Sequence, residues 1–244
     1  MKKVLLDSLI KKEDYLILDS DKFQVVFTNA EKNRSFNRAT DEGKEYLNSL
    51  NEKFNLDKVV YLKQIHSDKI LEYTGKDIND MEGDAVITNI RKIAVGVFTA
   101  DCVPIILVDE VKKVVAAIHS GWRGTFESIT FKTIEKMKNE FKCNEKDVKA
   151  YIGAHIRKCC YEVSEELKDK FIEKKYDIDK NELFNGRNLN LECCIEDDLR
   201  KSGIDEKNIF TLGVCTYCNE DIKLYSYRKS EGAYGRLFSF VFIK

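Results

Sequence analysis

The chain is poor in several residue types. Its 244 residues include one proline, Pro104, one tryptophan, Trp122, and only three histidines, His66, His119 and His155. With proline so scarce, and with no Ser/Pro/Gly-rich linker, internal repeat or low-complexity tract, nothing marks a boundary. Residues 1–244 are therefore expected to form a single domain. Neither sign of charge prevails: 41 Lys plus Arg stand against 42 Asp plus Glu, a formal charge of −1. That excludes a field drawing the protein to nucleic acid or an anionic membrane, leaving only local basic sites. No apolar run approaches the ~20 residues that span a bilayer. The short apolar stretch near the N-terminus is broken by Asp7, Lys11, Lys12 and Glu13, unlike an export signal. Eight cysteines are too sparse for a disulfide scaffold in a chain of this length. They are expected to be reduced thiols in a cytoplasmic protein, available as ligands or nucleophiles.

Apolar residues make up 43%, enough for a core, and the charged 34% is mixed in sign, which argues against disorder. Runs rich in β-branched and aromatic residues predict strands at 23–28, 59–65, 69–73, 84–88, 93–99, 105–109 and 114–118, so the first 120 residues should be mostly sheet. Later strands are predicted at 148–152, 209–212, 224–227 and 238–243. Phe126, Ile129, Thr133, Ile134, Met137 and Phe141 recur three or four apart and predict a helix following Gly121-Trp122-Arg123-Gly124. Shorter helices are predicted at 164–174, opened by Ser164, and at 191–202, ended near Gly203. The expected fold class is α+β, an α/β sandwich of mixed, largely antiparallel sheets packed with helices.

Two of the three histidines close predicted strands: His66 follows 59–65 and His119 follows 114–118. If 93–99, 105–109 and 114–118 formed an antiparallel meander, Cys102 and His119 would emerge on one sheet edge, within reach of His66. Two imidazoles and a thiolate suit zinc or copper. A metal with three protein ligands keeps a coordination position for water or substrate, and lowers the pKa of bound water to about 7. The same spacing also allows a surface His66 and a Cys102 that is simply a small buried residue.

Gly121 and Gly124, with Arg123, lie where a strand passes into a helix, an arrangement that suits an anion such as phosphate. A tight turn with Trp122 in the core explains the same residues. Arg228 in Tyr225-Ser226-Tyr227-Arg228-Lys229 and Arg236 in Gly232-Ala233-Tyr234-Gly235-Arg236 could bind phosphate or stack on a ring, or could simply flank a solvated hairpin. Cys215-Thr216-Tyr217-Cys218 has the spacing of half a zinc knuckle, but no second Cys-x-x-Cys accompanies it, and structural zinc is not expected. For Cys159-Cys160 and Cys193-Cys194 packing is the default, and His155 reads as a satisfied polar residue.

Taken in order, Gln64-Ile65-His66-Ser67, Gly83-Asp84-Ala85, Thr99-Ala100-Asp101-Cys102-Val103-Pro104-Ile105, His119-Ser120-Gly121-Trp122-Arg123-Gly124, Cys159-Cys160-Tyr161-Glu162-Val163 and Tyr225-Ser226-Tyr227-Arg228 closely resemble the YfiH-like family. That family is also called laccase-domain or multicopper polyphenol oxidase-type, and its members are regarded as purine nucleoside phosphorylases with adenosine deaminase activity. The resemblance runs from about residue 20 to the end. It implies His66, Cys102 and His119 as ligands of zinc, Arg123 lining a cleft, Asp101 beside the metal cysteine, and Arg228 and Arg236 in an arginine-containing tail. Departures are Asn29 where many members have Arg, Ala154 in place of the proline of an Ile-Gly-Pro segment, and Arg157-Lys158 before Cys159. These bear on substrate preference and phosphate affinity more than on the metal.

The leading expectation is therefore a zinc enzyme acting on purine nucleosides and phosphate: phosphorolysis of adenosine, inosine or methylthioadenosine, and deamination of adenosine. Asp101 is a candidate proton carrier, and Arg123, Arg228 or Arg236 candidates to position phosphate. Copper-dependent polyphenol oxidation needs more histidines than three. A metal-free Cys102–His119 hydrolase, editing of peptidoglycan precursors, and a non-catalytic binding module are the other readings.

Overall fold

The most apolar runs of the chain become strands covered on both faces. In the computed structural model, which describes residues 3–230 and 235–244, Ile93–Thr99, Val103–Asp109, Val114–Ser120 and Leu237–Ile243 are buried at every position. Burial on both faces explains why they read as continuous apolar segments rather than as alternating ones. Residues Gly232, Ala233 and Tyr234 of the glycine-bracketed segment lie outside the described residues.

One sheet has seven strands in the order Lys3–Val4, Ile209–Thr211, Val148–Ile152, Val103–Asp109, Val114–Ser120, Ala85–Thr88 and Ile70–Glu72. A second has six, in the order Ile10–Lys12, Tyr15–Asp19, Phe23–Thr28, Leu237–Ile243, Ile93–Thr99 and Lys58–Val60. Antiparallel pairs predominate, with parallel pairing at four joins. Period-two alternation decides which layer each side chain enters. Ile105, Leu107, Ala116 and Ile118 face the helices Ile129–Phe141 and Leu191–Lys201, meeting Ile134, Met137, Ile195 and Leu199. Ile106, Val108, Val115 and Ala117 turn the other way and pack against Val25, Val95 and Val241 of the second sheet. The far face of that sheet, with Ala94, Phe98, Phe238 and Phe240, is covered by Leu47 and Leu50 of the helix Asp41–Lys53. A β-carbon at Gly96 would fall 2.2 Å from the Phe238 ring, so glycine lets the two phenylalanines lie across that strand. The result is an α+β unit of four layers, helices, sheet, sheet, helix, as the composition of segments implied. Among the described residues no helix is long and apolar enough to cross a membrane.

Three expectations about these elements need correction, and one helix was not foreseen. The segment 224–227 is not a strand: it runs irregularly into a turn in which Ser230 N–H donates to Ser226 O, while Lys223 O is taken by Ala30 N–H. The helix expected after Gly124 is two helices, Trp122–Phe126 and Ile129–Phe141, parted by Ser128 in the left-handed region at φ 57. The helix Asp41–Lys53, capped by Thr40 accepting from Gly43 N–H, was not expected, because only two of its apolar residues are buried. Lastly, 93–99 does not join 103–109 and 114–120 in a meander, since the chain changes sheets between Thr99 and Val103.

Candidate metal centre

That change of sheet places the cysteine. Val103–Asp109 runs antiparallel to Val114–Ser120 with Pro104 opposite His119 and Val103 opposite Ser120. Cys102 precedes the first of these strands and therefore lies beside the end of the second, where His119 stands. The corner is Asp101, whose φ of 99 is unusual for a residue with a side chain and costs about 1–3 kcal/mol unless its surroundings hold it. They do. Ile156 N–H donates to its carbonyl at 2.9 Å, the Thr216 hydroxyl to Oδ1 at 2.6 Å, and Arg228 N–H to Oδ2 at 2.7 Å. The carboxylate beside the cysteine is thus an anchor for two other segments.

His66 arrives on a loop after Lys58–Val60, since the predicted strand 59–65 stops early. Gln64 carries the loop along the edge of the sheet: its side-chain amide donates to Phe98 O at 2.8 Å and accepts from Phe98 N–H at 2.7 Å. The N–H groups of Ile65, His66 and Ser67 then converge on Asp84 at 3.3, 3.0 and 2.6 Å, and the Ser67 hydroxyl joins them at 2.6 Å. Asp84 Oδ1 also lies 2.8 Å from His119 Nδ1. One buried carboxylate thereby fixes both the His66 loop and the His119 ring, leaving His119 Nε2 as its donor. Burial works against its charge, but His119 and Ser67 outweigh that and hold Asp84 below the usual carboxylate range. Residue spacing did not single out Asp84; the signal available was a charged residue opening an otherwise apolar strand at Gly83-Asp84-Ala85.

The donor atoms of His66, Cys102 and His119 all lie within 4.8 Å of one another. The two imidazoles meet edge to face, 4.8 Å between centroids, and Cys102 Sγ is 3.8 Å from His66 Nε2. A β-carbon on Gly121 would stand 2.9 Å from His66 and 3.1 Å from Cys102 Sγ, so this glycine is the close wall of the cluster. Burial opposes the Cys102 thiolate, yet the adjacent His119 and His66 pull it down to about 6. His119 moves the other way: burial disfavours its cation, and Cys102 and Asp84 more than restore it. Two nitrogens and a ready thiolate, one imidazole oriented by a carboxylate, fit a divalent metal. Among the described residues no fourth His, Cys, Asp or Glu joins the three.

His66 opens the cluster onto a cavity of about 780 Å³ lined by Trp122, Arg123, Phe126, Glu166 and Lys170. The Arg123 guanidinium lies over the Trp122 ring at 4.6 Å. Arg228 lines a shallower recess that shares Trp122; it donates to Glu162 O at 3.1 Å and lies 5.4 Å from the Tyr161 ring centre. Arg236 is elsewhere, its N–H donating to Ser35 Oγ at 2.9 Å, and it lines neither hollow. His155 is buried with Nδ1 2.9 Å from Gly153 O, apart from the cluster. Cys193 and Cys194 are packed in the helix Leu191–Lys201. The remaining cysteines depart from expectation, because Cys159, Cys160, Cys215 and Cys218 bring their sulfurs within 4.8 Å of one another. The partner of Cys215-Thr216-Tyr217-Cys218 is thus the adjacent pair Cys159-Cys160, not a second Cys-x-x-Cys.

Comparison with known proteins agrees with this architecture. A purine nucleoside phosphorylase of Clostridium acetobutylicum is 43% identical over 235 residues, 96% of this chain and 98% of that one. The adenosine deaminase RL5 of an unknown prokaryotic organism is 29% identical, over 78% of this chain and 76% of that protein. The crystal structure of the Bacillus licheniformis hypothetical protein YfiH superposes with a TM-score of 0.87 at 22% identity, covering 96% of this chain and 98% of that one. Residues 27–244 match the family model described as multi-copper polyphenol oxidoreductase laccase, and the chain belongs to that family.

Proposed function

We propose that this protein is a zinc-dependent purine nucleoside enzyme that phosphorolyses adenosine, inosine or methylthioadenosine and deaminates adenosine. The observation that carries the reading is the group of three donors opening through His66 onto a cavity with an arginine-covered tryptophan. The names of the relatives support the substrate class. The cavity is in the ~300–1,000 Å³ range of small-molecule sites. Trp122 and Phe126 offer aromatic surface for a purine, and Arg123 offers charge for phosphate, Lys170 being paired with Glu166 at 2.6 Å.

His66, Cys102 and His119 would hold the ion, which when bound would supply Lewis acidity; no fourth His, Cys, Asp or Glu joins them among the described residues. The chain's own residues do the rest. Asp84 keeps His119 in one tautomer and one orientation. Asp101 holds the backbone of Arg228 beside the centre, and it stays the candidate proton carrier for the leaving ammonia. Arg123 places phosphate against the ribose, where positive charge develops as the glycosidic bond breaks. Phosphorolysis converts adenosine or inosine and phosphate into free base and ribose 1-phosphate, and methylthioadenosine into adenine and 5-methylthioribose 1-phosphate; deamination converts adenosine and water into inosine and ammonia. Incubation of zinc-loaded protein with adenosine, with and without phosphate, should give all four products with it and only inosine and ammonia without it. No product under either condition overturns the reading.

A second reading has its own observation. Cys102, His119 and Asp84 form a chain of thiol, imidazole and carboxylate, and the lowered Cys102 pKa makes a nucleophile available without metal. Activity that survives exhaustive chelation and is abolished by alkylating Cys102 would favour it; activity lost to chelator and restored by zinc would discard it. Oxidation of phenols through several coppers is not supported, because two of the chain's three histidines share one cluster and the third is apart.

A further inference from the structure

We propose that Cys159, Cys160, Cys215 and Cys218 bind one zinc-class divalent ion as a tetrathiolate, a structural site separate from the His66–Cys102–His119 cluster. Zinc–sulfur bonds of about 2.3 Å in a tetrahedron set neighbouring sulfurs roughly 3.8 Å apart. The Cys159 and Cys218 sulfurs are already 3.6 Å apart, and all four lie within 4.8 Å, so small side-chain rotations complete the geometry. A disulfide would need about 2.05 Å between two of them and would leave the other two thiols facing it.

The backbone around the four sulfurs is held from outside. His155 bridges to Cys215, Thr216 N–H donates to His155 O at 3.0 Å, and Cys160 N–H donates to Arg157 O at 2.8 Å. Arg157 in turn donates to Gly213 O at 2.7 Å and to the buried carboxylate of Glu192 at 2.8 Å. Cys215 is buried and Cys160 half-buried, while Cys159 and Cys218 are exposed, which gives the ion a path from solvent. On binding, each remaining thiol proton passes to solvent as its sulfur takes the metal.

The location gives the site a purpose. Between Thr211 and Leu237 no helix or strand forms among the described residues, yet this stretch supplies Thr216 and Arg228, which both hold Asp101 next to Cys102. A tetrathiolate clamp would order that stretch where secondary structure does not.

The test uses the full chain, purified under reducing conditions and titrated with Zn²⁺. Two ions per chain are expected, falling to one in Cys159→Ser/Cys218→Ser and to one in His66→Ala. Titrating His66→Ala with Co²⁺ should give the strong thiolate charge-transfer and visible bands of a tetrathiolate, absent when Cys159 and Cys218 are also replaced. Zinc should raise the melting temperature of His66→Ala but not of the triple variant. The proposal is overturned if reduced His66→Ala binds no ion, if Cys159→Ser/Cys218→Ser still binds two, or if the cobalt spectrum shows one thiolate or none. Cys159 and Cys218 are exposed, so their serine variants should fold; native circular dichroism confirms that the readings report metal.

Discussion

Asp84→Asn is the sharpest single perturbation of the candidate centre. Oδ1 of Asp84 serves His66 N–H and His119 Nδ1, while Oδ2 serves Ile65 N–H, Ser67 N–H and the Ser67 hydroxyl. Asparagine keeps one acceptor and turns an NH₂ toward donors in either orientation. Hydrogen bonds to a charged group contribute about 1.5–3 kcal/mol each, and breaking a buried charged network costs about 3–5 kcal/mol. Urea unfolding in chelator should therefore show a loss of about 3–5 kcal/mol. Chelator competition should show zinc affinity reduced about 10–100-fold, the usual consequence of losing the group that orients a histidine ligand. Acid should reproduce part of the effect. Because the folded pKa of Asp84 is lowered, its stabilisation is complete above the unfolded value of about 3.9. It is lost as the pH falls through the lower folded value. The difference in stability between the parent and Asp84→Asn should accordingly shrink only below about pH 4. Zinc affinity within twofold of the parent, together with an unchanged urea midpoint, would refute the assignment of Asp84 as the brace of both histidines.

Three further outcomes are expected. Gly121→Ala should leave the circular dichroism spectrum intact yet weaken zinc binding at least about tenfold, because its methyl would meet His66 and Cys102; unchanged binding would show that the two side chains yield freely. Arg123→Ala should raise the KM for phosphate in phosphorolysis while sparing phosphate-independent deamination, and equal losses in both would mean that Arg123 serves the nucleoside instead. Asp101→Asn should destabilise the fold by about 1–3 kcal/mol, since one of its two donors faces an amide NH₂; a pH–rate profile shifted in the variant would assign it proton transfer, and an unmoved one positioning alone.

Sheet content and the buried strands Val103–Asp109 and Val114–Ser120, the second carrying His119, were legible because burial on both faces leaves long apolar runs rich in β-branched residues. Strands 23–28 and 148–152 match their predicted bounds. The meander was not legible as wrong: nothing in Thr99-Ala100-Asp101-Cys102 says that the chain leaves one sheet for another, since the strain is carried by Asp101 and relieved by Ile156, Thr216 and Arg228, which are distant in sequence. The same distance hid the role of Asp84, whose five partners come from two other segments, and the meeting of Cys159 and Cys160 with Cys215 and Cys218. The convergence of His66, Cys102 and His119 was foreseen, but for a partly mistaken reason: antiparallel register, not a shared meander edge, brings Cys102 to His119.

The passage of the chain between sheets at residues 99–103 also bears on how the protein matures. The sulfur sits on the bridge between two layers, one imidazole ends a strand of the first, and the other rides a loop pinned to the second. No half of the molecule can gather all three donors, so a nascent or partly unfolded chain would compete for metal only as scattered side chains do. For the proposed metal centre, loading would then follow completed assembly, and ions would go to finished molecules alone.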